Sequence, residues 1–578
     1  MKLKKLFIKN FRNFEDIEVE MTNKNVIFGM NDVGKTNFLH SLRFLLDRKF
    51  RNLGFQESDY FQKNVKNPIE ICLEIDITDF EDIDTQNIIS KVGKYRDRNN
   101  LESIFIKLIG EFDNDELLGN PILYWGNDLE NLDRMAQSGN FLEIDKLFKV
   151  IYIDPLIDMD KLFNANRRKI FKVSESEKED NFDNIQKLSK ELNEEISDMS
   201  VVKNFQAKLT DGYHELKDEN ISIVLKSEMA IKGVFSDIRP YIQKEEDNNT
   251  ENLYPTSGDG RKKILAYALL NYLNYGDEAD NRIPIFLIEE PENSLHRAMR
   301  ISLSKQLFNS KDIYKYFIVS THSSSILYEM DRTNLIRIFN DNKTNCKSTL
   351  YIVSDEFSKQ KKELNYGLTQ ALFADKVLLI EGPSEKVLFE KILEELNPMY
   401  EMDGGFILEV DGIKFKPYRD TLIKLGIKVA VKTDNDLKET AKGKSKEFEK
   451  SGYKRCMNLL GNDTTNIGNI NIEYKGTKDR KEKIKEEKVD FYEEIMRGVG
   501  SVFIDNRIYL SKIDLENDLY EAIPEEMDKF RSNSVNYLQN KKLLHMLELC
   551  AKLNEESCEK IARHDNFKCL NLLLENNK

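Results

Sequence analysis

The stretch Gly29-Met30-Asn31-Asp32-Val33-Gly34-Lys35-Thr36 limits how this chain can fold more than any other. It follows the apolar Val26-Ile27-Phe28 and opens onto Asn37 to Leu46, where apolar residues recur at helical spacing. Strand, glycine loop and helix in that order make a phosphate cradle. Backbone N–H groups converge on the anion, glycines let the loop wrap closely, and the helix N-terminus adds positive potential. In this reading Lys35 reaches the β- and γ-phosphates, Thr36 ligates Mg²⁺, and Gly29, Asn31, Gly34 and Asn37 complete the cradle. A plain glycine turn is the alternative; the flanks argue for the nucleotide loop and for an α/β fold around it.

A single core stops growing near roughly 250–300 residues, so the 578 residues should divide into two or three domains. No apolar run approaches the roughly 20 residues of a membrane helix, and no cleavable signal follows the basic N-terminus. A cytoplasmic protein without membrane partners is expected. The six cysteines show no paired spacing and read as free thiols. A net charge of −14 argues against a surface that grips DNA everywhere, but is compatible with one local basic channel.

Residues 2–9 and 17–21 alternate apolar and polar around a turn at 10–14, predicting a hairpin that feeds the glycine-loop strand. Strands are expected at 69–75 and 103–109. From about 155 to 250 the pattern changes: Leu188, Leu192, Ile196, Met199, Val202, Phe205 and Leu209 recur every three or four positions among charged residues. This predicts an amphipathic helical insertion whose stripe serves either core packing or dimer contact, and a polar loop is expected at 244–252.

Ser257-Gly258-Asp259-Gly260 then precedes a helix expected over 264–273. The continuously apolar strand 284–288 ends in Glu289-Glu290, and the strand 316–320 ends in Thr321-His322. Two carboxylates at a buried strand's end rarely serve packing.

In this order the four stations resemble the ABC-type ATPase heads of the SMC, RecF and OLD families. The resemblance implies ATP as ligand, Ser257 and Gly258 as a divergent signature loop, Glu289 holding Mg²⁺, Glu290 polarising water and His322 contacting the γ-phosphate. It also implies at least a dimer of heads. Gln56 and Arg12 are weaker candidates for the same site.

In the last third, the strand 377–380 ends in Glu381-Gly382-Pro383-Ser384-Glu385 before a helix at 386–393. A second strand, 427–433, runs into Asp434-Asn435-Asp436, and a third, 508–511, into Lys512-Ile513-Asp514-Leu515-Glu516-Asn517-Asp518. Ligands gather beyond the carboxyl ends of parallel strands, so these acids are expected to converge. Hard oxygens suit Mg²⁺ or Mn²⁺ acting on a phosphodiester. Periodicity alone leaves open whether Asp514 pairs with Glu516 or with Asp518.

This segment resembles the Toprim domain of OLD-family nucleases, with Glu381-Gly382 and Asp434-x-Asp436 as the hallmark. The whole chain is similar to the anti-phage branch of that family. The implied organisation is an ATPase head (1–154 and 251–350) with a helical dimerisation insertion (155–250), then a Toprim α/β domain with C-terminal helices (351–578). The resemblance implies a metal-dependent endonuclease that nicks double-stranded DNA, forms a tetramer, works with a helicase and is restrained by nucleotide. Glu381, Asp434, Asp436 and Asp514 would be ligands or catalytic acids, Glu385 and Glu516 further metal ligands, and Lys542, or its neighbour Lys541, the catalytic lysine. Basic stretches at 438–450 and 475–488 would either track DNA or form solvated faces. A clamp or repair ATPase whose Toprim part only binds DNA is the main alternative. Topoisomerase chemistry lacks a separate DNA-breaking domain here.

Overall fold

The computed structural model describes residues 1–92, 102–138, 141–157, 162–163, 180–216, 224, 241–242, 254–255, 258–274, 282–310, 314–410, 415–440 and 446–575. They fall into two compact units, one of 1–153, 282–292 and 297–578, the other of 154–281 and 293–296.

In the first unit the alternating segments form β1 (Lys2–Phe11) and β2 (Phe14–Glu20), paired antiparallel from Lys5↔Glu20 to Phe11↔Phe14. The next strand, β3 (Lys24–Phe28), leaves this hairpin and enters a different sheet. The reason lies in its pattern. Val26, Ile27 and Phe28 are all fully buried, so β3 needs cover on both faces, whereas an alternating hairpin needs it on one. Helix α1 (Lys35–Leu46) follows. Strands β4 (Ile69–Asp76), β5 (Ser103–Asp113), β6 (Leu118–Gly126) and β7 (Asp133–Arg134) extend the antiparallel sheet in the order β2-β1-β4-β5-β6-β7. The second sheet adds β8 (Phe148–Ile153), β9 (Ile283–Glu289), β10 (Phe317–Ser320), β11 (Thr333–Asp341) and β12 (Lys343–Tyr351), ordered β8-β9-β10-β3-β11-β12. All its pairs are parallel except β11 with β12.

The chain then builds a smaller parallel sheet. Its elements are β13 (Lys376–Ile380), α2 (Pro383–Leu396), β14 (Gly405–Glu409), β15 (Lys428–Thr433), α3 (Ser451–Leu459), α4 (Thr477–Gly498), β16 (Ile508–Leu510), α5 (Leu515–Ala522) and α6 (Lys542–Cys550). Strand order is β14-β13-β15-β16, with every pair parallel. Leu378, Ile380 and Ala430 of this sheet pack with Leu388 and Phe389 of α2, Leu519 of α5 and Met546 of α6 in one core.

Contacts at the ends of β3 and β11 link this mixed sheet to the smaller parallel one. Arg337, opposite Phe28 in the β11–β3 register, donates to the carbonyls of Ala374 (3.2 Å) and Leu425 (3.4 Å) and pairs with Asp375, the residue before β13. Phe28 packs edge-on against Phe373, 6.0 Å between centroids.

In the second unit the amphipathic run forms helices Asp180–Asp198 and Ser200–Leu216, interrupted at Met199. Among the described residues its apolar stripe is left partly uncovered: Leu188 (63%), Met199 (54%) and Phe205 (56%) are exposed. The helix after the proposed signature loop spans Asp259–Asn274, while the polar segment 244–252 lies outside the described residues. All six cysteines are free thiols. Among the described residues, no helix is long and apolar enough to cross a membrane.

Candidate functional site

Two sites form at strand ends. In the head, Glu289 stands opposite Ser320, and Ser320 opposite Ile27. The Glu289-Glu290 step, Thr321-His322 and the glycine loop therefore leave neighbouring strands on one edge. The loop is held in a close wrap. Gly29 (φ 152°) and Gly34 (φ 106°) occupy the left-handed region, and a Cβ would lie 2.2 Å from the Ile338 carbonyl at Gly29 and 2.3 Å from Asn13 Nδ2 at Gly34. Lys35 is buried, and its ammonium donates to the carbonyls of Gly29 (3.1 Å) and Met30 (2.6 Å). Among the described residues it has no ion-pair partner, and burial lowers its pKa to about 8 against the pull of Glu290 and Asp32. A buried cation without a counter-ion in a wrapped loop fits a phosphate.

Thr36 hydroxyl donates to one carboxylate oxygen of Glu289 and Tyr152 hydroxyl to the other. Glu290, at a left-handed φ of 42°, places its carboxylate 3.1 Å from His322 Nε2. Burial, then the Lys35 charge, lower the His322 pKa. Asn37 accepts from Arg12 (2.9 Å) and donates to Asn13 (2.7 Å). Arg12 also reaches Asp59 at 2.9 Å, whose other oxygen accepts from the Gln56 backbone at 2.8 Å. Asn31 and the Gln56 side chain are exposed. Ser257 lies outside the described residues. Gly258 belongs to the second unit, where a Cβ would meet nothing within 4 Å among the described residues. Tyr152 carries no motif, and sequence reasoning missed it.

In the second site, Glu381 follows β13, Asp434 follows β15 and Asp514 follows β16, three neighbouring strands. Glu381, Glu385, Asp434, Glu516 and Lys542 line one cleft of about 280 Å³. Glu385 accepts from the backbone of Glu381 (2.6 Å) and Gly382 (3.2 Å) through Oε2. Among the described residues its Oε1, together with Asp434 Oδ1 and Glu516 Oε2, is buried without a hydrogen-bond partner. Burial, then the Glu381 charge, push the Glu385 pKa up to about 8; burial and the charges of Glu385 and Glu381 raise Asp434 well above the carboxylate range. Buried oxygens of this kind, on three separate elements, ask for a cation, and hard carboxylates fit a divalent one.

The remaining candidates separate. Asp514 caps α5, accepting from Asn517 N (3.0 Å), Asn517 Nδ2 (2.6 Å) and Gln539 (2.8 Å). Asp436 is 44% exposed at the rim. Asp518 faces away, in a buried pair with Lys432 at 2.7 Å, so Glu516 shares the cleft and Asp518 holds the sheet. Lys542 lies 3.7 Å from Glu516. Burial draws its pKa down, but Glu516, Asp434, Asp514 and Asp436 outweigh that and raise it, so the ammonium stays charged. Lys541 sits just before α6 with a left-handed φ of 51°. Among the described residues, no three acids, histidines or cysteines are already gathered to ligate an ion. Glu381 Oε1 is taken by Thr433 Oγ1 (2.5 Å), Asp434 N (2.9 Å) and Arg455. Arg455 lies in a helix without any motif and was not foreseen.

The AAA ATPase domain family model matches residues 1–327, and the model for the TOPRIM domain of overcoming lysogenization defect-like proteins matches 372–436, which includes Glu381, Glu385, Asp434 and Asp436. Endonuclease GajA of Bacillus cereus (strain VD045) is 49% identical over 99% of each chain. The Old nuclease of Escherichia phage P2 is 22% identical over 75% of this chain and 77% of its own. The solved SMC head domain from Thermotoga maritima covers 61% of this chain and 100% of its own, at 14% identity and a TM-score of 0.30. With an ATPase domain ahead of an OLD-like TOPRIM domain, and near-complete alignment to a relative at this identity, the chain belongs to the GajA endonuclease family.

Proposed function

We propose that this protein is a Mg²⁺- or Mn²⁺-dependent endonuclease that nicks double-stranded DNA in anti-phage defence, under control of ATP bound to its head. The observation that carries this reading is the trio of unpartnered buried oxygens on Glu385, Asp434 and Glu516 in one cleft. Glu381, Glu385, Asp434 and Glu516 would hold divalent cations, with Asp436 and Asp514 at the edge. Such ions would supply Lewis-acid stabilisation of the attacking and leaving oxygens. Lys542, kept protonated by the surrounding acids, would offset charge on the leaving oxygen rather than act as a base. Asp514, fixed by three donors, orients the first turn of α5 and with it Glu516.

In the head, Gly29, Asn31, Gly34, Lys35, Thr36 and Asn37 would bind ATP, Glu289 its Mg²⁺, and Glu290 with His322 the γ-phosphate side; Ser257 and Gly258 would close over the nucleotide of a second copy. The Arg337 contact to Asp375 gives the head a direct purchase on the strand that leads to Glu381. The exposed stripe of Leu188, Met199 and Phe205 supports self-association, here a dimer of heads doubled into a tetramer. Lysines 478, 481, 485 and 488 line one cavity with Asp514, a place for a DNA backbone. A GajB-like helicase is the second partner, and the cytoplasm the setting.

Incubating the purified protein with supercoiled plasmid and Mg²⁺ while titrating ATP tests this reading. Nicking that ATP suppresses is expected. No cutting of any DNA, with ATP-driven dimer closure instead, would favour the clamp ATPase.

A further inference from the structure

The acidic cleft already has a cation against it. Arg455, on α3, reaches in with its side chain 14% exposed. Nη1 donates to Glu381 and to the Thr433 hydroxyl, and Nη2 lies 3.2 Å from Asp436 Oδ2. The helix that delivers it is pressed onto the Asp434–Asp436 loop. Gly452 N donates to the Asp436 carbonyl at 3.1 Å, and a Cβ on Gly452 would stand 2.4 Å from the Asp434 carbonyl. Only glycine permits that approach. Cys456, next to the arginine, is fully buried, and Tyr453 packs edge-on against Phe491 at 5.5 Å.

We propose that Arg455 is a resident counter-cation: it holds Glu381 and Asp436 together when no divalent ion is present, and must release Glu381 Oε1 when an ion takes that oxygen. The inference rests on the metal-dependent reading above. Guanidinium and divalent ions compete for the same carboxylate lone pairs. Glu381 Oε1 is saturated by Thr433, Asp434 N and Arg455. Two of those donors are fixed at the end of β15, and only the long arginine side chain can leave by rotating. Metal binding is therefore an exchange of cations, and its apparent affinity is lower than the bare acids would give. Arg455 is a positioning residue in this scheme, acting through Glu381 and Asp436.

The test is Mn²⁺ binding to the full chain, followed by the electron paramagnetic resonance of free Mn²⁺, with Arg455→Met and Arg455→Lys beside the parent. Loss of one charge-assisted contact predicts about tenfold tighter Mn²⁺ binding in Arg455→Met. Its metal-free melting temperature should fall, and the deficit should shrink at saturating Mn²⁺. Equal or weaker Mn²⁺ binding overturns the proposal. If Arg455→Met does not fold without metal, Arg455→Lys decides: a gain of about threefold supports exchange, since an ammonium lacks the bidentate fork, and no gain refutes it. Absence of Mn²⁺ binding in the parent would refute the nuclease reading instead.

Discussion

The two strand-end sites are built by the same device and left with different deficits. In the head, acids and bases are arranged around each other: Glu289 is met by two hydroxyls, Glu290 by His322, and Glu292 by Thr321 and the His322 backbone. Among the described residues the buried ammonium of Lys35 donates to two carbonyls but meets no acid, and Glu292 keeps one buried oxygen without a donor. In the second site the excess is acidic, and three buried oxygens lack a donor. A buried ammonium without an acid beside it would favour an anion in the head, and three unpartnered acidic oxygens would favour cations at the smaller sheet. Fold topology brought the residues together in both; the balance of charge differs between them.

The widest separation is expected with Glu381→Ala. Nicking of supercoiled plasmid should fall on the order of 10³-fold while ATP binding by the head is unchanged; retained nicking would break the assignment of chemistry to the second site. Asp518→Asn comes next. It strands the Lys432 ammonium in the core, and chemical denaturation should report a loss of about 3–5 kcal/mol, whereas a loss under about 1 kcal/mol would place the pair outside the core of the sheet. Lys35→Ala should weaken ATP binding on the order of 100-fold, with nicking retained but no longer suppressed by ATP. ATP suppression that survives lost binding would dissolve the division of labour.

The smallest effect is a pH signature. Glu385 has its folded pKa raised to about 8, above the unfolded carboxylate, so its contribution to stability is present at low pH and is lost as pH rises toward about 8. Without metal, the melting temperature should decline from pH 5 to 8, Glu385 contributing a slope of at most about one proton, and Glu385→Gln should make that decline shallower. Parallel slopes in parent and variant would assign the titration elsewhere.

Much of this was legible because both sites sit where apolar runs stop. The buried strands that end at Phe28, Glu289, Ser320, Ile380 and Thr433 can be read from continuous hydrophobicity, and the residues that follow them carry the motif signals. What escaped came from contacts distant in sequence. Tyr152 meets Glu289 from the edge strand of the sheet, and Arg455 meets Glu381 from a helix whose only clue is a glycine that packing requires. Periodicity could not choose between Glu516 and Asp518, because one helical turn carries both and only the position of Lys432 decides. The departure of β3 from the first hairpin was likewise hidden, since pairing partners leave no trace in local alternation.

The guanidinium of Arg337 bears on how far this protein is modular. It is 5% exposed and bound on one side to the segment that opens the smaller sheet, so a cut between the head and that sheet would not yield two intact pieces. The head fragment would lose the acceptors that Arg337 reaches, and the other would lose the arginine that braces the start of β13. Transplanting either part onto a foreign partner would call for rebuilding that seam first, and a natural recombination event there would have had to carry Arg337 and Asp375 together.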